Sequence, residues 1–110
     1  MDIRQYRMRM QPKELVLPSG LVVHVHPMRA KHLLLMADAI SPEGKIDVGK
    51  YWDRIEQILA DCVEELSLQP DEDHLAPAEL DMQDALVLID HLFGSVEVPE
   101  SFRRRVTASQ

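Results

Sequence analysis

The chain has 110 residues, 45% hydrophobic but only 5% aromatic, and a formal net charge of −7. That length fits one domain whose interior is filled by Leu, Val, Ile and Met. The single Cys62 excludes an intramolecular disulfide and a cysteine-based metal site. The charge is uneven: Arg4, Arg7, Arg9 and Lys13 against Asp2 give residues 1–13 a net +3, residues 95–110 carry +1, and −11 is left for residues 14–94. An acidic body of that size repels phosphates, and no pattern of basic and aromatic residues is present, so a nucleic-acid partner is not expected. No apolar run approaches the eighteen residues of a membrane span, and the N-terminus lacks the apolar stretch of a signal peptide. The expected location is therefore the cytoplasm, with no membrane partner.

Residues 1–13 read as an extended N-terminal arm. Tyr6, Met8 and Met10 alternate with Arg7 and Arg9, the period of an edge strand or of a strand offered to a partner. Pro12 separates the arm from a hairpin. There, Leu15, Leu17, Leu21, Val23 and Val25 share one face, and Val16, Val22, His24 and His26 share the other. Pro18, Ser19 and Gly20 form the turn, with Gly20 supplying the left-handed residue that closes a three-residue loop. A hairpin alone is barely stable in water, so helices or another strand must cover its apolar face.

Three helical segments follow. The first is expected over residues 29–39. The second is expected over residues 48–66, with Asp47 as its cap, Ile46 stapled onto Tyr51, and Trp52, Ile55, Ile58, Leu59, Cys62, Val63 and Leu66 as its buried stripe. The third starts near Pro77 or Ala78 and ends at Gly94. Residues 95–110 read as an extended tail containing Phe102, Arg103, Arg104 and Arg105, a candidate docking segment for an acidic surface. The predicted fold is α+β: an antiparallel hairpin packed on about three helices over residues 14–94, with extended basic ends.

Little in this pattern points to chemistry. His24 and His26 lie on one strand face, but a third metal ligand is missing. Asp71, Glu72 and Asp73 lack the spacing of a calcium loop. Asp81 and Asp84 stand where carboxylates favour a helix start, and Cys62 belongs to a core stripe. No phosphate loop or dinucleotide fingerprint occurs. The sequence therefore predicts a protein that is not an enzyme and needs no cofactor. It also predicts sticky helices, because residues 33–37 and 85–89 are uninterrupted apolar runs that wrap more than one helix face. Tyr6, Met8 and Met10 on the arm, Leu34 and Leu35 on the first helix, and Val87 and Leu88 on the third are the candidate contacts with other proteins.

The order of features adds to this. Leu17, Pro18, Ser19 and Gly20, the strand from Val22 to Pro27, the Leu- and Met-rich helix after Arg29, the helix around residues 55–63, and residues 80–94 together resemble small tail proteins of long-tailed bacteriophages. The likeness is to the tail-assembly-chaperone and T-even-type baseplate (hub) assembly families. It implies a non-enzymatic role in virion assembly, by binding hub, tape-measure or wedge proteins in the host cytoplasm, or as a built-in structural protein of the tail. Self-association is also allowed. The competing expectation is a small bacterial adaptor or regulatory domain that binds proteins.

Overall fold

The computed structural model describes residues 1–39 and 46–94. Four α-helices and one hairpin are present among them: α1 (Ile3–Arg9), β1 (Lys13–Val16), β2 (Val22–Val25), α2 (Leu33–Met36), α3 (Trp52–Cys62) and α4 (Met82–Phe93). The protein is α+β, as the sequence predicts.

The hairpin follows its side-chain alternation. Lys13 pairs with Val25, Glu14 with His24, Leu15 with Val23, and Val16 with Val22. Leu17, Val23 and Val25 are buried, whereas Val16 and Val22 are exposed. The Leu17 N–H donates to the Leu21 carbonyl and the Gly20 N–H returns to the Leu17 carbonyl, both at 2.8 Å. Gly20 has φ +98°, a conformation that costs a residue with a Cβ but not glycine.

Behind the hairpin, Ile55, Ile58, Leu59 and Cys62 of α3 join Leu88 and Ile89 of α4 and the buried hairpin side chains in one apolar cluster. The helical spacing of these residues brings them onto one face of each helix, and burial of that face holds the helices to the sheet. Met36 of α2, together with Ala39, Ile46, Val63 and Leu66, completes the cluster.

Four expectations need correction. Residues 3–9 form a helix, not an extended strand-like arm. Asp2 accepts the Gln5 N–H at 2.8 Å and the Gln5 side chain accepts the Asp2 N–H at 2.9 Å, a reciprocal cap that satisfies two free donors at the helix start. The first predicted helix is shorter: a 3₁₀ turn, Ala30–His32, leads into the single turn of α2.

The long second helix is trimmed at both ends. Asp47 caps only a preceding turn, through the Lys50 N–H at 3.2 Å, and α3 begins at Trp52. Gly49, unfavourable inside a helix, lies in the excluded stretch. At the other end Val63 turns extended, with φ −104° and ψ 117°, and forms an antiparallel bridge with Val25. The Cys62 carbonyl accepts the His26 N–H at 2.7 Å, and the Glu64 N–H donates to the His24 carbonyl at 3.1 Å. Continuing the helix would leave those backbone groups of β2 unpaired beside a buried core, which is costly.

The third predicted helix is also split. Pro77–Glu79 is a 3₁₀ turn, Leu80 is extended, and Asp81 then caps α4 through the Gln83 N–H. Its end is as expected, with Gly94 at φ +74°.

Candidate protein-binding surface

α1 buries none of its residues: Ile3 is 72% exposed, Tyr6 57% and Met8 66%. At 100° per residue, Ile3, Tyr6 and Met10 fall on one side of the helix, flanked by Arg7 and Arg9. Met10, the C-terminal cap, is half-buried. Among the described residues no carboxylate pairs with Arg4, Arg7 or Arg9. A helix this short is marginal without tertiary contacts, so α1 is shaped by its own cap rather than by the protein beneath it.

The other exposed apolar site is α2. Leu34 is 88% exposed and its neighbour Leu33 is 68% exposed, while Met36 one turn on is buried. Leu35 is half-buried and packs on the core, so only one side of this apolar run faces out. A cleft of about 280 Å³ opens beside it, lined by Met28, Arg29, Ala30, His32, Leu33 and Met36.

On α4 the candidates divide. Val87 is 37% exposed, but Leu88 is fully buried and cannot be a contact residue in the folded protein. The correction is geometric: in a run of five apolar residues, neighbours point 100° apart, and Leu88 with Ile89 takes the core side. Phe102, Arg103, Arg104 and Arg105 lie outside the described residues, as does the whole predicted tail.

The polar groups near these surfaces are held by partners. His32 is buried; its Nδ1 accepts the Arg29 N–H at 2.9 Å, so the ring proton sits on Nε2 and is donated to Asp61 at 2.6 Å. Asp61 also meets Lys31 at 2.9 Å and Arg29 at 3.5 Å. The Lys31 hydrogen bond, opposed by partial burial and helped by His32, holds the Asp61 carboxyl below its usual range. A His–Asp pair is the kind of unit that activates a nucleophile, but here both ring nitrogens are engaged and neither is free to take a proton from a substrate.

On the outer face of the hairpin, both Glu65 oxygens grip His24, one accepting its N–H and the other its ring nitrogen, each at 2.7 Å. Glu14 approaches the same ring at 4.0 Å, and Glu64 lies 3.8 Å from His26. The Glu65 hydrogen bond raises the His24 pKa above its ordinary value of 6.5. Partial burial works to raise the Glu65 pKa, but the hydrogen bonds to its carboxylate, those from His24 foremost, together with the His24 charge outweigh it and the net direction is downward. Among the described residues no group of three or more His, Cys, Asp or Glu side chains is arranged to hold a metal. Burial pushes the Cys62 thiol pKa up, with the Asp61 charge adding to it, the opposite of what a nucleophilic cysteine needs.

Sequence reading missed three of these pairings. His32 meets Asp61 across 29 positions, His24 meets Glu65 across 41, and Ser19 meets Asp84 across 65. Asp84 is buried at the start of α4, where it accepts the Ser19 N–H at 3.0 Å and also bonds the Ser19 hydroxyl. Its position marked it only as a helix-start acid; nothing local signalled that the hairpin turn would come to it.

Compared with known protein families, with curated proteins and with solved structures, the chain has no match in any of the three. No helix among the described residues is long and apolar enough to cross a membrane.

Proposed function

We propose that this chain works without catalysis, by binding other proteins during assembly of a bacteriophage tail or baseplate. The observation that carries the binding part of this reading is the pair of exposed apolar helices. α1 presents Ile3, Tyr6 and Met8, and α2 presents Leu33 and Leu34, with no described residue covering them. Water contact at such side chains is relieved when a partner removes them from solvent, and methionine adapts readily to the partner's shape. The His32 ring, engaged at both nitrogens, and the buried, raised-pKa Cys62 support a role outside catalysis. The tail setting rests on the likeness in the order of hairpin and helices.

Co-expression with the hub, tape-measure, tube and wedge proteins of a long-tailed phage tests both parts. The expected result is co-purification with one of them, lost in a Tyr6→Asp, Leu34→Asp variant whose melting temperature is unchanged. Failure to bind any tail protein would remove the tail setting, and equal binding by the variant would remove the surface. Mass spectrometry of purified virions then separates a chaperone, absent from the particle, from a built-in subunit.

A further inference from the structure

We infer that α1 docks on the acidic loop at residues 68–75 of a second copy of this chain. The inference goes beyond the proposed function and does not depend on the tail setting. It starts from two surfaces of opposite composition. α1 contributes three arginines without carboxylate partners among the described residues, beside an apolar strip in which Ile3 and Tyr6 are exposed; its one carboxylate, Asp2, is used as the helix cap. Residues 64–81 contain seven carboxylates and no lysine or arginine. Within that stretch Leu68 is 52% exposed and Leu75 38%, so apolar side chains accompany the charge on this side as well. Asp71 is engaged by His74 at 2.8 Å, but the Glu72 and Asp73 side chains make no hydrogen bond or ion pair among the described residues.

The sheet explains why, among the described residues, α1 does not reach the acidic loop of its own copy. α1 enters the hairpin at Lys13, opposite Val25. From Cys62, which bonds His26, the chain runs antiparallel to β2 and reaches His24 at Glu64, heading for the hairpin turn. Leu75 then returns beside Glu65 and Ser67, closing the acidic loop at that far side. The basic helix and the acidic loop therefore leave the sheet at opposite ends. Arg9 and Gln11, where α1 finishes, line a small cleft with Pro27, Met28, His91 and Leu92, not with the acidic loop. Two copies bring the surfaces together: the apolar strip of α1 meets Leu68 and Leu75, and its arginines meet Glu72 and Asp73. A phosphate backbone offers nothing to the apolar strip. An anionic bilayer presents its charge to the whole acidic body, whereas the loop presents carboxylates only where α1 binds.

Light scattering of the full chain over a range of protein concentrations, at low and high salt, tests this. The expected result is a mass above that of a monomer at low salt, reverting towards monomer at high salt because the contact lies at the surface. Two charge-reversed variants follow: Arg4→Glu, Arg7→Glu, Arg9→Glu, and separately Glu72→Arg, Asp73→Arg. Each alone loses association by about tenfold or more with an unchanged melting temperature. Mixed together they associate again, because each then offers the other a complementary surface. A wild-type chain that stays monomeric throughout overturns the inference, as does normal association of either variant or failure of the mixture. Monomeric wild type that sediments with phosphatidylglycerol vesicles assigns α1 to a lipid surface instead. Monomeric wild type that still binds a tail protein through α1 overturns self-docking and leaves the proposed function standing.

Discussion

The hairpin turn and α1 are both closed by a carboxylate that accepts a backbone N–H, yet they are bound into the protein to very different degrees. At the turn the acceptor is Asp84, 65 positions away and buried, so the bond ties the hairpin to the start of α4. In α1 the acceptor is Asp2, three residues from its donor and exposed. The first bond fixes where an element sits; the second fixes only its shape. α1 is thereby free to carry exposed apolar and basic side chains without straining the core, which suits a surface that meets a partner.

The sharpest way to break this contrast is at α4. Leu88→Ala is expected to destabilise the chain by about 2–5 kcal/mol, the usual cost of emptying a buried leucine site, read by urea denaturation. Leu34→Ala should stay within about 0.5 kcal/mol of wild type, as surface changes do. A loss at Leu34 equal to that at Leu88 would make α2 part of the core. Next in size is Asp84→Ala, which removes the two hydrogen bonds that tie the Ser19 turn to α4 and is expected to cost about 1–3 kcal/mol, at about 0.5–1.5 kcal/mol per bond.

The His24–Glu65 pair gives a smaller, pH-dependent effect. His24 has its folded pKa raised, so its contribution is full below 6.5 and is lost as pH rises through the folded value. Glu65 has its folded pKa lowered, so its contribution is present above 4.5 and is lost as pH falls through the folded value. The two overlap most between pH 4.5 and 6.5. Melting curves of wild type and His24→Gln should differ most within that window and converge at alkaline pH; a constant difference would show that the pair does not titrate with folding.

Smallest in global effect is Asp2→Ala. It removes a cap worth about 0.5–2 kcal/mol to the helix itself, while the melting temperature holds because α1 buries nothing. Faster amide hydrogen exchange confined to residues 3–9 is the expected signature.

Much of the sheet-and-helix frame was legible. The alternation of Leu15, Leu17, Val23 and Val25, the Pro18–Gly20 turn, the part of the second-helix stripe from Ile55 to Cys62 and the Gly94 stop are local patterns, and they held. Tyr6, Met8 and Met10 misled because three apolar residues spaced by two fit a strand as well as an exposed helix. The cap formed by Asp2 with Gln5 was the signal that would have decided it. Val63 left its helix because β2 had unpaired backbone groups on that side, a demand that arises only once the sheet exists. Of the candidate contacts, Tyr6, Met8 and Leu34 are exposed, whereas Leu88 turned inward because periodicity divides an apolar run between faces without saying which residue faces the core. The His32–Asp61 pairing needed tertiary structure to bring its members together.

Cys62 gives the protein a built-in clock. It is the only thiol in the chain, fully buried on α3 where that helix gives way to the strand against β2, and its raised pKa leaves little thiolate to react. In the native state an alkylating reagent must wait for α3 to part from the sheet. The labelling rate then reports how often that seam opens, with no probe added and no residue changed. A partner that binds only to α1 or α2 without tightening the core should leave that rate unaltered, while one that braces the whole domain should slow it.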